Sequence, residues 1–94
     1  MEFKDKDIEA FWNDPEKNMP SRVPPELRKT LYRKLQMLDA AVRINDLRTP
    51  LGNHLEKLKG SREEQYSIKV NKQWRLCFNW GRNTVEGVEF SDYH

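Results

Sequence analysis

The chain has 94 residues, of which 36% are hydrophobic and 11% aromatic, and its 17 Lys and Arg outnumber 15 Asp and Glu by two. This length predicts one domain spanning residues 1–94, and the aromatic content with a low net charge favours a folded chain over a disordered one. The lone cysteine, Cys77, excludes an internal disulfide and favours a reducing compartment. No apolar stretch approaches the ~20 residues that cross a bilayer, and the first seven residues lack a signal-peptide core, so we expect a cytoplasmic protein with no membrane partner.

Charge is distributed unevenly along the chain. Residues 1–47 hold nine basic and nine acidic side chains, residues 48–75 hold seven basic and three acidic ones, and residues 76–94 hold one and three. The middle of the chain is therefore a basic block that would attract a polyanion. Its basic residues are Arg48, Lys57, Lys59, Arg62, Lys69, Lys72 and Arg75.

The N-terminal part has the period of helices. A short helix is predicted with Ile8, Phe11 and Trp12 on one face, and it ends at residues 13–15. Pro24 and Pro25 are tolerated in the first turn of a longer helix, whose apolar residues recur every three or four positions. That stripe consists of Leu27, Leu31, Leu35, Leu38 and Val42.

After a turn at residues 48–53, the apolar period changes to two, which predicts strands. Strands are expected at 66–70, at 74–80 after an Asn71-Lys72 turn, and from Thr84 to Tyr93 with a bulge at Gly87. A shorter strand from Leu55 to Lys59 and an edge at residues 2–4 complete the sheet. The predicted class is α+β, with N-terminal helices packed on one face of a curved, mainly antiparallel sheet.

The alternation also predicts which side chains lie on the other face of this sheet. If the apolar residues of each strand face the helices, a period of two sends the intervening ones to an open, solvent-facing surface. Those residues are Lys69, Arg75, Cys77, Glu89 and Tyr93.

Familiar enzymatic signatures are absent from the sequence, including Gly-rich phosphate loops and Cys-x-x-Cys pairs. Two histidines and one cysteine show no zinc-ligand spacing, so we expect neither a metal nor a cofactor. Cations could stabilise a phosphate and His or Tyr could move a proton, a combination that suits attack of an RNA 2′-hydroxyl on its adjacent phosphodiester. The candidate residues are Lys59, Arg62, Arg75, Asp92, Tyr93 and His94.

Plainer interpretations exist for each candidate. Arg75 could be a solvated strand residue or an ion-pair partner of Glu89, and terminal residues such as His94 are commonly frayed. A charged residue in a turn, such as Lys59, is normally just a solvent-exposed side chain. Structural roles are also expected for other conspicuous residues: packing for Trp74 and Trp80, a small strand filler for Cys77 and a surface side chain for His54.

Several segments together resemble the HigB family of toxins in the RelE-like superfamily. They are Leu58-Lys59-Gly60-Ser61-Arg62, the run from Tyr66 to Phe78, the terminal Asp92-Tyr93-His94, and the earlier 38–41 and 47–53. The resemblance implies a RelE-like fold whose concave sheet face binds messenger RNA in the ribosome and cleaves it. It also implies a cognate HigA-like helix-turn-helix antitoxin as partner, and operator DNA bound only through the antitoxin complex.

The resemblance carries roles to individual positions. Lys59 and Arg75 match basic active-site positions, and Asp92, Tyr93 and His94 match a terminal catalytic cluster. Some relatives have a histidine where this chain has Glu56, so the general base is left among His94, Tyr93 and Glu56. We assign RNA-phosphate contacts to Arg48, Lys57, Arg62, Lys69 and Lys72.

Two rival functions fit the same sequence. A ParE-like protein of this superfamily binds and inhibits DNA gyrase without cleaving nucleic acid, because fold alone does not decide function. A plain nucleic-acid-binding domain would need the basic block but not Tyr93 or His94.

Overall fold

The computed structural model describes residues 1–59, 65–82 and 84–92. Its helices are α1 (Lys6–Asn13) and α2 (Arg28–Ala40), and its strands are β1 (Glu56–Lys57), β2 (Gln65–Lys69), β3 (Trp74–Trp80) and β4 (Val85–Asp92). The strands form one sheet in the order β1-β2-β3-β4, with every neighbouring pair antiparallel. The predicted α+β class and antiparallel sheet are confirmed. No helix in the described ranges has the length and apolar character required to span a membrane.

Helix α2 begins later and ends earlier than its apolar stripe predicts. The proline-rich start is a 3₁₀ turn, Pro25–Leu27, and the helix stops at Ala40. Val42 was expected on the buried stripe, but it is 69% exposed, so that prediction is wrong. The reason is Asp46, whose carboxylate accepts hydrogen bonds from the backbone N–H groups of Val42 and Arg43 at 2.9 and 3.0 Å. These bonds start a 3₁₀ segment, Ile44–Arg48, and they lower the pKa of Asp46.

The core lies between the two helices and one face of the sheet. Leu31, Leu35 and Leu38 of α2 are at most 1% exposed, as a period of 3.6 requires of one face. The sheet contributes the alternate residues that the period of two predicts for this face. Its buried members are Ile68, Val70, Leu76, Phe78, Val88 and Phe90.

The aromatic residues of the sheet complete this core. Trp74 and Trp80 pack against it, as expected, and the Trp74 ring stacks on Phe90 with centroids 4.4 Å apart. Gly87 has a φ of +60°, and the register shifts opposite it between Cys77 and Asn79, which confirms the predicted bulge.

The N-terminal residues extend the sheet beyond β4, as predicted. Phe3 forms a parallel bridge to Val88, and the backbone N–H groups of Glu2 and Lys4 donate to the carbonyls of Val85 and Val88 at 3.0 and 2.9 Å. The outer edge of β4 is therefore partly covered.

An arginine in the loop between the helices joins the N-terminus to β4. Arg22 donates to the carboxylates of Asp5 and Asp7 at 2.7 and 2.8 Å, and to the Phe90 carbonyl at 2.9 Å. The Asp5 carboxylate in turn accepts the backbone N–H of Phe90 at 2.8 Å. We call Asp5, Asp7, Arg22 and Phe90 the Arg22 clamp. Its hydrogen bonds raise the pKa of Arg22 and lower that of Asp7.

Candidate functional site

The face of the sheet opposite the helices is less open than the alternation predicts. Ser67 is fully buried, while Arg75 and Cys77 are only 7% and 8% exposed. The expectation of a solvent-facing Arg75 is therefore wrong. The physical reason is that its side chain reaches back to β2 and donates from Nε to Ser67 Oγ at 2.8 Å, so the two polar groups cover each other.

Arg75 is held by oxygens from two further residues. Its Nη2 donates to the His54 carbonyl and, more weakly, to the Ser67 carbonyl at 3.4 Å, and it lies 3.9 Å from Glu56 Oε2. The plainer alternative that Arg75 pairs with Glu89 is wrong, because Glu89 instead pairs with Lys4 at 3.1 Å and raises the pKa of that lysine. Several acceptors thus fix the guanidinium in one orientation.

Glu56 connects Arg75 to a shallow groove at the β1 edge. In the register of the sheet Glu56 faces Ser67, which places it on the same face as Arg75, and its side chain is half exposed. The groove has a volume of about 630 Å³. It is lined by Glu56, Lys57, Leu58, Lys59 and Gln65.

This groove holds Lys59, the second predicted active-site cation. The backbone N–H of Leu58 donates to the Gln65 carbonyl at 2.8 Å, so this end of the groove lies beside the start of β2. Arg75 instead faces Lys69, four residues further along β2. The backbones of Lys59 and Arg75 are therefore offset along the sheet. Glu56 is the residue they share: it lines the groove beside Lys59, and its Oε2 lies 3.9 Å from Arg75 Nη2.

The predicted RNA-contacting residues within the described ranges lie on separate elements. Arg48 ends a 3₁₀ segment, Lys57 lies on β1, and both are exposed. Lys69 is half-buried and faces Arg75 across the β2–β3 pair, and the exposed Lys72 lies in the turn between those strands. That turn is closed by Asn71, whose Oδ1 accepts the backbone N–H groups of residues 73 and 74.

The terminal cluster is described only as far as Asp92. In register Asp92 faces Trp74, on the helix side of the sheet, whereas Ser91 is the residue that faces Arg75. The Asp92 carboxylate accepts a hydrogen bond from Gln73 Nε2 at 2.9 Å. Tyr93, His94 and Arg62 lie outside the described residues, so their grouping with Arg75 stays a prediction.

Two other residues follow the plainer interpretation. Cys77 is buried as a strand filler, and burial raises the pKa of its thiol, which disfavours a reactive thiolate. The His54 side chain is exposed, as expected, although its carbonyl binds Arg75. Across the described parts of the chain, no three His, Cys, Asp or Glu side chains come together as metal ligands could.

Sequence reasoning missed the groups that anchor Arg75. Ser67 could have been predicted as an anchor, because the alternation places it on the same face as Arg75, two residues before Lys69 on the neighbouring strand. The His54 carbonyl left no comparable signal, since a backbone oxygen is common to every residue and only its position gives it a role.

Comparisons with known proteins give the family. A model of RelE-like toxins of the type II toxin-antitoxin system HigB matches residues 1–94. This chain belongs to the HigB toxin family. Toxin HigB-1 of Vibrio cholerae serotype O1 is 43% identical over 93 residues, which cover 99% of this chain and 92% of that protein.

Two further relatives extend the similarity. Endoribonuclease HigB of Proteus vulgaris is 32% identical over 92 residues, covering 98% of this chain and 96% of that protein. A protein of Haemophilus influenzae described as uncharacterized is 47% identical over 68 residues, covering 72% of this chain and 67% of its own length. The resemblance to HigB toxins is therefore confirmed, and membership of a toxin-antitoxin family implies an antitoxin partner.

Proposed function

We propose that this HigB-family toxin is a ribosome-dependent endoribonuclease that cleaves messenger RNA in the cytoplasm and so stops translation. The observation that carries the proposal is the anchored guanidinium of Arg75, held by Ser67 and His54 on the sheet face opposite the helices. The relative named Endoribonuclease HigB supports the same reaction class.

Arg75 is suited to stabilise a phosphorane. Cleavage by the 2′-hydroxyl forms a bond from O2′ to phosphorus and breaks the bond to O5′, which leaves a 2′,3′-cyclic phosphate and a 5′-hydroxyl. Negative charge builds on the phosphoryl oxygens in the transition state. A cation fixed before the substrate arrives stabilises that charge without reorganising, and removing one such donor typically costs on the order of 10²–10³ in rate.

The remaining roles follow the sequence assignment. In this proposal Lys59 supplies a second cation from the β1 groove, and Asp92 orients the terminal residues. His94 or Tyr93 takes the proton from the 2′-hydroxyl and returns one to the leaving 5′ oxygen. The Glu56 carboxylate is the third candidate base, and its 3.9 Å separation from Arg75 Nη2 supports keeping it in the set.

The basic block would bind the RNA backbone and ribosomal RNA. Arg48, Lys57, Arg62, Lys69 and Lys72 would contact phosphates, so we expect binding to the ribosome to weaken steeply as salt rises, because phosphate contacts release counterions. The antitoxin in this proposal is a HigA-like helix-turn-helix protein, through which alone the toxin reaches operator DNA. Ribosome binding that is independent of salt would contradict this footprint.

The proposal is tested by primer extension on a defined messenger RNA, with and without programmed ribosomes. The variants are Arg75→Ala and, as a matched control, Arg33→Ala, which removes an exposed arginine of α2. Cleavage that needs ribosomes, is lost in Arg75→Ala and persists in Arg33→Ala supports the proposal. Intact RNA in every lane with folded protein overturns it, and a DNA supercoiling assay then tests the gyrase-inhibitor alternative.

The general base is identified by single-turnover cleavage over a range of pH. Glu56→Gln, Tyr93→Phe and His94→Gln each remove one candidate. The base is the residue whose variant lowers the cleavage rate on the order of 10²–10⁴-fold and also removes one limb of the pH–rate profile. A loss below about tenfold in all three would contradict side-chain base catalysis.

A further inference from the structure

A buried lysine on α2 lies at the far end of a chain of contacts that reaches Arg75. Lys34 is 9% exposed, and its Nζ donates to Asn53 Oδ1. Among the described residues no carboxylate forms an ion pair with it. Burial lowers the pKa of this lysine. A buried ammonium with a neutral amide as its partner is costly, which makes the contacts of this lysine worth following.

Asn53 uses its whole side-chain amide. It is fully buried, and while Oδ1 accepts from Lys34, Nδ2 donates to the carbonyls of Leu47 and Thr49 at 3.1 and 3.4 Å. The backbone N–H of Asn53 donates to the Pro50 carbonyl at 2.9 Å. The segment from 47 to 53 is therefore closed around one amide, and Lys34 ties that amide to α2.

The next residue carries the acceptor for Arg75. His54 has a left-handed backbone with φ of 43° and ψ of 58°, and its N–H donates to the Leu51 carbonyl at 3.1 Å. A residue other than glycine seldom adopts this conformation unless its surroundings hold it there. The conformation directs the His54 carbonyl to Arg75 Nη2. Because His54 directly follows Asn53 in the chain, the position of its carbonyl depends on how Asn53 is held.

We propose that Lys34 and Asn53 are positioning residues for Arg75: their hydrogen bond, on the helix side of the protein, fixes the His54 carbonyl and through it the guanidinium. The consequence for RNA cleavage rests on the proposed function, whereas the orientation of Arg75 can be measured without it. Neither residue touches substrate in this scheme.

The direct readout is the Arg75 Nε–H signal in ¹⁵N NMR spectra, assigned by its loss in Arg75→Lys. The test variant is Lys34→Met, which keeps an unbranched apolar side chain one atom shorter and removes the donor. The matched control is Lys29→Met, an exposed lysine of the same helix. We expect Lys34→Met to shift this signal and speed its exchange with solvent on the order of tenfold, because an opened site exchanges faster, with Lys29→Met like the wild type.

A second readout is single-turnover cleavage on programmed ribosomes. We expect Lys34→Met to lower the maximal cleavage rate on the order of 10- to 100-fold with the half-saturating concentration within about twofold, since misplacing a catalytic group costs chemistry more than binding. Lys34→Gln restores a donor and should recover part of both signals. A variant with merely lowered stability would show the wild-type maximal rate per folded molecule at low temperature.

The outcomes separate the inference from the proposed function. An unchanged Arg75 signal in folded Lys34→Met overturns the inference, whatever the cleavage assay shows. A shifted signal in a protein that never cleaves RNA supports the positioning and overturns the proposed function alone. If Lys34→Met does not fold, Asn53→Asp is measured: its carboxylate cannot donate to Leu47 and Thr49, and an unchanged Arg75 signal there overturns the inference equally.

Discussion

Two arginines of this protein are bound in contrasting ways. Arg22 has two carboxylates at 2.7 and 2.8 Å, and its side chain is 38% exposed. Among the described residues, Arg75 has its closest bonds with a hydroxyl and a backbone carbonyl and its nearest carboxylate at 3.9 Å, and its side chain is 9% exposed.

The contrast indicates two roles: Arg22 holds distant parts of the chain together, whereas the contacts of Arg75 fix the direction of its guanidinium. Close carboxylates neutralise a guanidinium and join distant parts of the chain, as Arg22 joins the N-terminus to β4. Neutral oxygens fix the direction of a guanidinium while cancelling less of its charge, which would suit the phosphate-binding role that we propose for Arg75.

The largest effect is expected when each arginine is replaced by lysine. Lysine keeps the charge but cannot reproduce the fixed fork of donors, so Arg75→Lys should lower single-turnover cleavage on the order of 10²-fold. Arg22→Lys should leave the rate within about twofold. Equal losses in the two variants would show that the distinction between them is wrong.

Ser67→Ala probes the anchor of Arg75 alone. It leaves the buried Nε of Arg75 without the Ser67 hydroxyl, and we expect cleavage to fall on the order of tenfold and the free energy of unfolding to fall by about 1–3 kcal/mol. Ser91→Ala is the matched control, because its hydroxyl lies on the same face but donates to Glu89 at 3.1 Å. Cleavage assays and urea unfolding measure the two effects, and a Ser91→Ala loss as large as that of Ser67→Ala would contradict the assignment.

Arg22→Ala tests the role of Arg22 in holding distant parts of the chain together. Two partly exposed ion pairs and a carbonyl bond are lost, so the free energy of unfolding should fall by about 1–2 kcal/mol after allowance for solvent screening. The urea midpoint measures this change, with Arg33→Ala as the exposed control. Cleavage per folded molecule should not change, and a large loss of activity would assign Arg22 to the site.

The smallest effect concerns pH and Asp7. The hydrogen bonds from Arg22 lower the pKa of Asp7 below the ordinary value of an aspartate carboxyl. A carboxylate with a lowered pKa contributes stability above its unfolded pKa and loses it as the pH falls through the folded value. The difference in unfolding free energy between wild type and Asp7→Asn should therefore be below about 1 kcal/mol at neutral pH, begin to shrink near pH 4 and be lost as the pH falls through the lower folded pKa. Urea unfolding at several pH values measures it, and a difference that persists at pH 2 would contradict the pairing.

The sequence determined the elements and the buried face of each one. Periods of 3.6 and 2 identified both helices and the long strands, and alternation selected Ile68, Leu76 and Phe78 for the core. Gly87 marked the bulge. These features follow from local geometry, because side-chain direction repeats along an element whatever the rest of the chain does.

Only the tertiary structure decided the surroundings of Arg75. Strand parity correctly put Arg75 on the face away from the helices, but its burial and its pairing with Glu56 in place of Glu89 depend on strand register. The His54 carbonyl reaches it through the path of residues 41–54, which Asp46 and Asn53 redirect after α2. A side chain's neighbours across a sheet come from distant parts of the sequence, and no local period encodes their meeting.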